Sequence, residues 1–273
     1  MLVLIIVLLS TALSTLTCRT GNVYVKISKQ SGPSSGSEEF VDILNANGIL
    51  YTTPSQGDNE FRVFEHCLSV TTNNQYTIKL RDTNHDSWTA GSYVMVQSIY
   101  GNIVFKNFMT EDSEETYPLS LYMPIMKNQS WKMTSGSVSG DWTQYDFGES
   151  GWNQVILGSV TTQLTGTQYF RKQFTGLAAM PAYEMNFNYC YGIIAYVNGA
   201  EVYRDNLPDG PVTGSTVAVS GYPTTEFRSV IRSGSEVTNV PCVLAVEVHY
   251  FTLIHENHVD FDAYLAMVSS HFY

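Results

Sequence analysis

Positive charge is scarce in this chain. Lys and Arg number 14 among 273 residues, against 25 Asp and Glu, for a formal net charge of −11 with histidine neutral. Proteins that bind nucleic acid neutralise phosphate with clustered Lys and Arg. No basic run exists here, which excludes nucleic acid as a partner, and an anionic membrane surface is disfavoured for the same reason. Charge of either sign is low, at 14% of residues against about 25% in typical soluble domains. Sustained helical periodicity is absent, and so is any repeat of roughly 20 to 50 residues, which excludes solenoids and propellers. Catalytic signatures are missing too: there is no G-x-S-x-G elbow, P-loop or dinucleotide fingerprint. His255-Glu256-Asn257-His258 lacks the i, i+4 spacing that sets two zinc ligands on one helical face, so a metalloprotease is excluded. The chain is therefore expected to have no enzymatic activity of its own.

What is present points to an extracellular β protein. Hydrophobic residues make up 44% of the chain, with 18 Tyr and many Ser, Thr and Asn, enough to bury roughly 70% of the unfolded surface at this length. Met1 to Thr17 begins with an apolar run from Leu2 to Leu9 followed by small hydroxyl residues, including Thr15 and Thr17. This is too short to span a bilayer and reads as a cleaved signal peptide, residues 1–17, although no Lys or Arg precedes it. No second apolar span and no tail directing lipid anchoring follow. A soluble, secreted protein without membrane insertion after signal cleavage is expected.

Cysteine is sparse as well. Cys18, Cys67, Cys190 and Cys242 match no zinc spacing and allow three complete pairings. Chain order favours Cys18 with Cys67 and Cys190 with Cys242, one disulfide in each expected domain.

Period-two alternation recurs along the chain. Val23, Val25 and Ile27 form one set, Tyr76, Ile78 and Leu80 a second, and Leu244, Val246 and Val248 a third, each fitting a strand with one buried face. Asn47-Gly48 stands between two apolar runs as a hairpin signal. Thr110 to Thr116 is acidic and is followed by Pro118 and Pro124, which reads as a solvated linker. The expected architecture is all-β with two β-sandwich domains, over 18–109 and 125–273, joined by a linker over 110–124.

The second half carries a resemblance. Residues 190–210, CYGIIAYVNGAEVYRDNLPDG, fit the pattern G-x-x-x-Y-x-N-G-x-E-x-x-R-x-N-x-P-x-G. Residues 243–265 supply the strand L-A-V-E-V-H and then D-x-x-F-D-x-x-L, in order after TQYFRKQF at 167–174. Together, over roughly residues 125 to 268, they resemble the galactose-binding-domain-like jelly roll, an accessory module of secreted glycosidases, metallophosphoesterase-like proteins and other extracellular proteins. Asn188, Tyr189 and Cys190 stand where the family usually has acidic residues, and Cys242 stands where Asn is usual. Two such cysteines near the starts of two core strands are the further reason to pair them.

The resemblance implies carbohydrate as the ligand class, with Arg204 and Asn206 as candidate contacts. The residues also read as loop anchors, since Asn206 precedes Leu207-Pro208 and its amide suits backbone contacts. Trp142 and Trp152, close to Trp131 in sequence, are candidate stacking platforms for sugar rings, with core or hinge packing as the competing reading. His249 reads as structural, and Asp260 with Asp262 reads as loop anchoring or ion contact. Asn128-Gln129-Ser130 is an acceptor sequon for N-glycosylation.

The first half resembles, more loosely, a secreted β-sandwich unit with the run Y-T-I-x-L-x-D-S-x-G-D-G-W-x-x-G-S-Y. Trp88, Gly91, Ser92 and Tyr93 keep its second part, while Asn84, His85, Asp86 and Ser87 replace its glycine-bearing part. Asp82, Asn84 and Asp86 place oxygens at alternate positions, as in the first part of a calcium loop. The sixth-position Gly and the Glu at position twelve are missing, and a solvated turn competes with calcium, the one cofactor entertained. The expected function is secreted, non-catalytic binding of extracellular or cell-surface carbohydrate, as free glycan or on a glycoprotein. The alternatives are a structural or adhesion module that binds protein, or the accessory region of a larger glycosidase or phosphoesterase-type enzyme.

Overall fold

The computed structural model describes residues 16–34, 36–158, 166–178, 180–221, 226–237, 241–251 and 260–269. The expected signal segment, apart from its last two residues, and the 255–258 histidines lie outside them. The protein is all-β, with four antiparallel sheets. Among the described residues no helix is long and apolar enough to cross a membrane.

The first eight strands are β1 (Asn22–Gln30), β2 (Glu39–Asn45), β3 (Gly48–Thr52), β4 (Phe61–Ser69), β5 (Gln75–Asp82), β6 (Tyr93–Gln97), β7 (Ile103–Asn107) and β8 (Glu114–Ser120). They build two four-stranded sheets, β4-β1-β6-β7 and β3-β2-β5-β8. In β5 the alternate residues Tyr76, Ile78, Leu80 and Asp82 are buried, as its period-two pattern requires. Tyr76, Ile78 and Leu80 meet Val25, Ile27, Val41 and Val96 in a core that Leu119 and Leu121 close. The β2–β3 hairpin forms, with Asn45 opposite Gly48. Ala46-Asn47 make its tip, and Gly48 takes the positive φ of +127°. The disulfide Cys18–Cys67, with Cα atoms 5.6 Å apart, ties the segment before β1 to β4.

The expected linker is corrected by β8, which lies inside 110–124. Its outward residues Glu114, Thr116 and Pro118 are exposed while Leu119 and Ser120 are buried. An edge strand accommodates charge and proline, because one of its sides needs no ladder hydrogen bonds. Glu114 is ion-paired to Lys79 at 3.0 Å. Glu115 accepts the Thr110 and Glu111 N–H groups, each at 2.7 Å.

The second unit contains β9 (Ser130–Ser135), β10 (Asn153–Ile156), β11 (Gln168–Thr175), β12 (Ala182–Tyr189), β13 (Gly192–Val197), β14 (Ala200–Asp205), β15 (Arg228–Ser233), β16 (Pro241–His249) and β17 (Phe261–Val268). They form a six-stranded sheet, β10-β9-β11-β16-β13-β14, and a three-stranded sheet, β15-β12-β17. Trp131, Phe170, Phe187, Val246, Phe261 and Leu265 belong to a separate buried core between them. Trp131 is thus a core residue, edge-on to Phe261 with ring centroids 5.5 Å apart. The Asn198-Gly199 turn joins β13 to β14, with φ of +48° and +86°, the double positive φ that a tight two-residue hairpin demands.

The expected Cys190–Cys242 disulfide is absent; both residues are buried thiols. Tyr191 N–H donates to the His249 carbonyl, whereas the Val243 carbonyl receives the Asn198 N–H. The two cysteines therefore flank opposite ends of the β13–β16 pair, nine register positions or about 30 Å apart at roughly 3.3 Å per residue. A disulfide needs Cα atoms within about 7 Å.

Candidate functional site

The outer face of the six-stranded sheet carries the site. Across it run two register rows. Tyr169 of β11 stands opposite Glu247 of β16, which stands opposite Ile194 of β13, which pairs with Arg204 of β14. Two residues along, Arg171, Ala245, Tyr196 and Glu201 form the next row. Residues three apart on a regular strand point to opposite faces. The register shift at Ala195/Tyr196 inserts one extra residue in β14 and brings Glu201 and Arg204 onto the same face. There they pair at 2.8 and 2.7 Å. This bidentate bond lowers the Glu201 pKa and raises that of Arg204.

The loop between β9 and β10 folds back over this face because Arg171 holds it. The Arg171 side chain is fully buried. Its Nε donates to Glu149 Oε1 at 2.9 Å, and its terminal nitrogens donate to the carbonyls of Trp142, Gln144 and Tyr145. That clamp seats Trp142 edge-on to Tyr169 and Tyr196, with centroids 5.0 and 5.7 Å away. Trp142, Tyr169, Tyr196, Glu201, Arg204 and Glu247, with the 210–214 loop, enclose an open cleft of about 820 Å³. Glu247 accepts the Tyr196 hydroxyl at 2.8 Å. Burial, reinforced by Glu247, pushes the Tyr169 phenol up to about 12 and raises that of Tyr196 as well.

The sequence-predicted residues divide here. Trp142 and Arg204 line the cleft. Arg204 also donates Nη1 to the carbonyls of Pro208 and Gly210, at 3.1 and 3.2 Å, so its role as loop anchor is real. Asn206 stands outside the cleft lining. Its Nδ2 donates to the Tyr191 and Ser220 carbonyls and its Oδ1 accepts both the N–H and the hydroxyl of Ser220, which spends the amide on the loop. Trp152 is edge-on to Phe147 at 6.0 Å and is likewise absent from the cleft lining. Tyr169, Tyr196 and Glu247 were missed by sequence reasoning. The one available signal was Glu247, a lone carboxylate in the apolar run Val243 to Val248.

His249 is fully buried, with Nδ1 3.0 Å from Thr167 Oγ1 and 2.8 Å from the Thr216 carbonyl. Asp262 Oδ1 accepts the N–H groups of Asn128 and Ala263, and burial raises its pKa. Asn128 is exposed, with φ of +56°.

In the first unit, Asp82 ends β5 and caps the following turn. Its Oδ1 accepts the N–H groups of Asn84 and His85 at 2.8 and 2.9 Å. Glu38, which sequence reasoning also missed, joins Asp82 and Asp86 in one cluster. Desolvation, followed by Asp82 and Asp86, raises the Glu38 pKa.

No protein-family model matches the chain, and no curated protein matches it. Solved structures give distant likenesses. A glycosyl hydrolase family 2 member from Bacteroides cellulosilyticus is 14% identical, with a TM-score of 0.36, over 54% of this chain and 20% of that one. An anti-sigma factor domain-containing protein is 8% identical, with a TM-score of 0.29, over 92% and 77%. The α-L-rhamnosidase from Dictyoglumus thermophilum is 13% identical, with a TM-score of 0.29, over 87% and 23%. The chain spans about a fifth of the length of either glycosidase.

Proposed function

We propose that this chain is a secreted, non-catalytic carbohydrate-binding protein whose ligand is a neutral glycan, free or on a glycoprotein, seated in the cleft over the six-stranded sheet. The observation that carries the reading is the cleft itself, where three aromatic side chains and two carboxylates border one open space. Aromatic rings cover the apolar faces of sugars, and carboxylates accept their hydroxyl hydrogens. Arg204, among the described residues the one cation lining the cleft, is neutralised by Glu201, and Glu247, with His249 Nε2 3.4 Å away, adds a second carboxylate, so the cleft offers an anionic sugar no unpaired Lys or Arg. Glu201 is held below the usual carboxylate range, the opposite of what a general acid requires. The resemblance of residues 190–210 to galactose-binding-like modules supports the same ligand class, and the Cys18–Cys67 disulfide supports an oxidising, extracellular compartment.

A glycan array probed with the purified protein tests this. Binding to neutral glycans is expected, with Trp142→Ala weakening it about tenfold or more, in line with the loss of an aromatic hot spot, and Trp152→Ala leaving it unchanged. Silence across the array, or full binding by folded Trp142→Ala, overturns the reading.

A further inference from the structure

A second site lies in the first unit, away from the cleft and independent of it. β2 and β5 are antiparallel neighbours with Glu39 opposite Asp82. The residue before β2 and the turn after β5 therefore leave the sheet at the same end, where Thr83 N–H donates to the Glu38 carbonyl at 3.1 Å. Glu38, Asp82 and Asp86 each bring a carboxylate oxygen within 4.8 Å of the other two.

Clustered surface carboxylates alone imply nothing, but Asp82 is not a surface carboxylate. It is 3% exposed. Its Oδ1 is occupied by two backbone donors, while its Oδ2 is sealed from solvent and accepts no hydrogen bond. A charged oxygen buried without a donor is costly unless a positive charge compensates it. The protein's own cations nearby are committed elsewhere: Lys29 to Glu39, Lys79 to Glu114 and Arg81 to Asp42. Among the described residues, no Lys or Arg is ion-paired with Glu38, Asp82 or Asp86.

Oxygen ligands in this number suit a hard cation. Asp82, Asn84 and Asp86 follow the alternate spacing of a calcium loop's first half, and Glu38, arriving from the neighbouring strand, takes the place of the missing later carboxylate. The Asn84 amide nitrogen contacts Glu38 Oε2. The two ends of a carboxamide are interchangeable by a half-turn, which presents Asn84 Oδ1 to an ion instead. We propose that Glu38, Asp82, Asn84 and Asp86 bind one calcium ion, with water completing its coordination. The ion fixes the turn that leads into Trp88, whose indole N–H donates to the Arg81 carbonyl at 3.0 Å.

Calorimetric titration of the chelator-treated full chain with calcium chloride, alongside thermal melts, tests the assignment. One ion per chain is expected, with a dissociation constant of roughly 10⁻⁴ to 10⁻³ M, the range of extracellular modules, and a Tm raised by calcium and returned by chelator. Asp86→Asn, at an exposed position, is expected to weaken binding about tenfold by removing one ligand charge while melting like the parent in chelator. Asp82→Asn keeps the turn-capping oxygen and is expected to abolish binding. Absence of both heat and Tm shift up to about ten times the weakest such constant overturns the proposal. So does parental affinity in both Asp86→Asn and Glu38→Gln, and an equal response to magnesium overturns the assignment to calcium.

Discussion

Arg171 shows what a single residue contributes and how well it hides. In the run TQYFRKQF it reads as an ordinary outward strand residue, yet it is 1% exposed and binds three carbonyls and a carboxylate of the loop that carries Trp142. Nothing in the strand pattern announces this, because the partners lie more than twenty residues upstream in an irregular segment. Arg204 and Asn206 were easier to read: a conformationally fixed Leu-Pro step beside an Asn is a local signal, and both residues do anchor that loop. Arg171→Met is expected to cost roughly 3 kcal/mol in urea unfolding, within the range for breaking a buried charged network. It is also expected to weaken glycan binding, because Trp142 loses its seat. Arg171→Lys is expected to restore little of either, since an ammonium cannot span the forked geometry. Parental stability in Arg171→Met would show that the loop is held by something else.

Strands were more legible than their neighbours. β5 declares itself through alternation, and the β13–β14 turn through Asn198-Gly199, because both signals are local in sequence. The bulge in β14 is not local: it depends on how β14 registers against β13, and it alone brings Glu201 beside Arg204. The acidic run before Pro118 was read as linker because solvated charge suits a linker and the open side of an edge strand equally well. Close packing between elements is equally silent in sequence. Gly176, just past β11, has the Val237 carbonyl oxygen 1.6 Å from where a Cβ would stand, whereas an added Cβ at Gly199 meets only the movable amide end of Gln144. Gly176→Ala is therefore expected to destabilise by roughly 3 kcal/mol, the upper part of the overpacking range. Gly199→Ala, with φ of +86°, should cost about 1 to 2 kcal/mol for its left-handed backbone. Chemical denaturation of the two variants checks the order, and a smaller loss at Gly176 would contradict the backbone contact.

At the scale of the molecule, chain order was right for Cys18–Cys67 and wrong for the second pair. It pairs Cys190 with Cys242 on paper, but β13 and β16 run antiparallel and carry the two to opposite ends. The two units are held to one another by a backbone N–H of Ser120 donating to Ser269 Oγ at 2.6 Å and by the Lys127 ammonium lying 4.0 to 4.8 Å from the centroids of Tyr100, Phe227 and Tyr264. None of these partners is adjacent in sequence, so none was foreseeable. Tyrosine runs through both cores and this junction, and it makes the whole protein sensitive to alkali. Burial pushes the phenols of Tyr117, Tyr169 and Tyr264 up to about 12 from an ordinary value of 10.0 and raises those of Tyr183, Tyr189 and Tyr196. Below pH 10 folded and unfolded chains hold these protons equally, so stability is undiminished. Above it the unfolded chain releases protons that the folded chain retains, and stability falls as pH rises towards 12. These six tyrosines are therefore expected to ionise late, their phenolate absorbance appearing together with loss of the β-sheet circular dichroism. A single smooth ionisation near pH 10 with the sheet signal intact would mean that these side chains are solvated and that the cores are packed differently from the arrangement described.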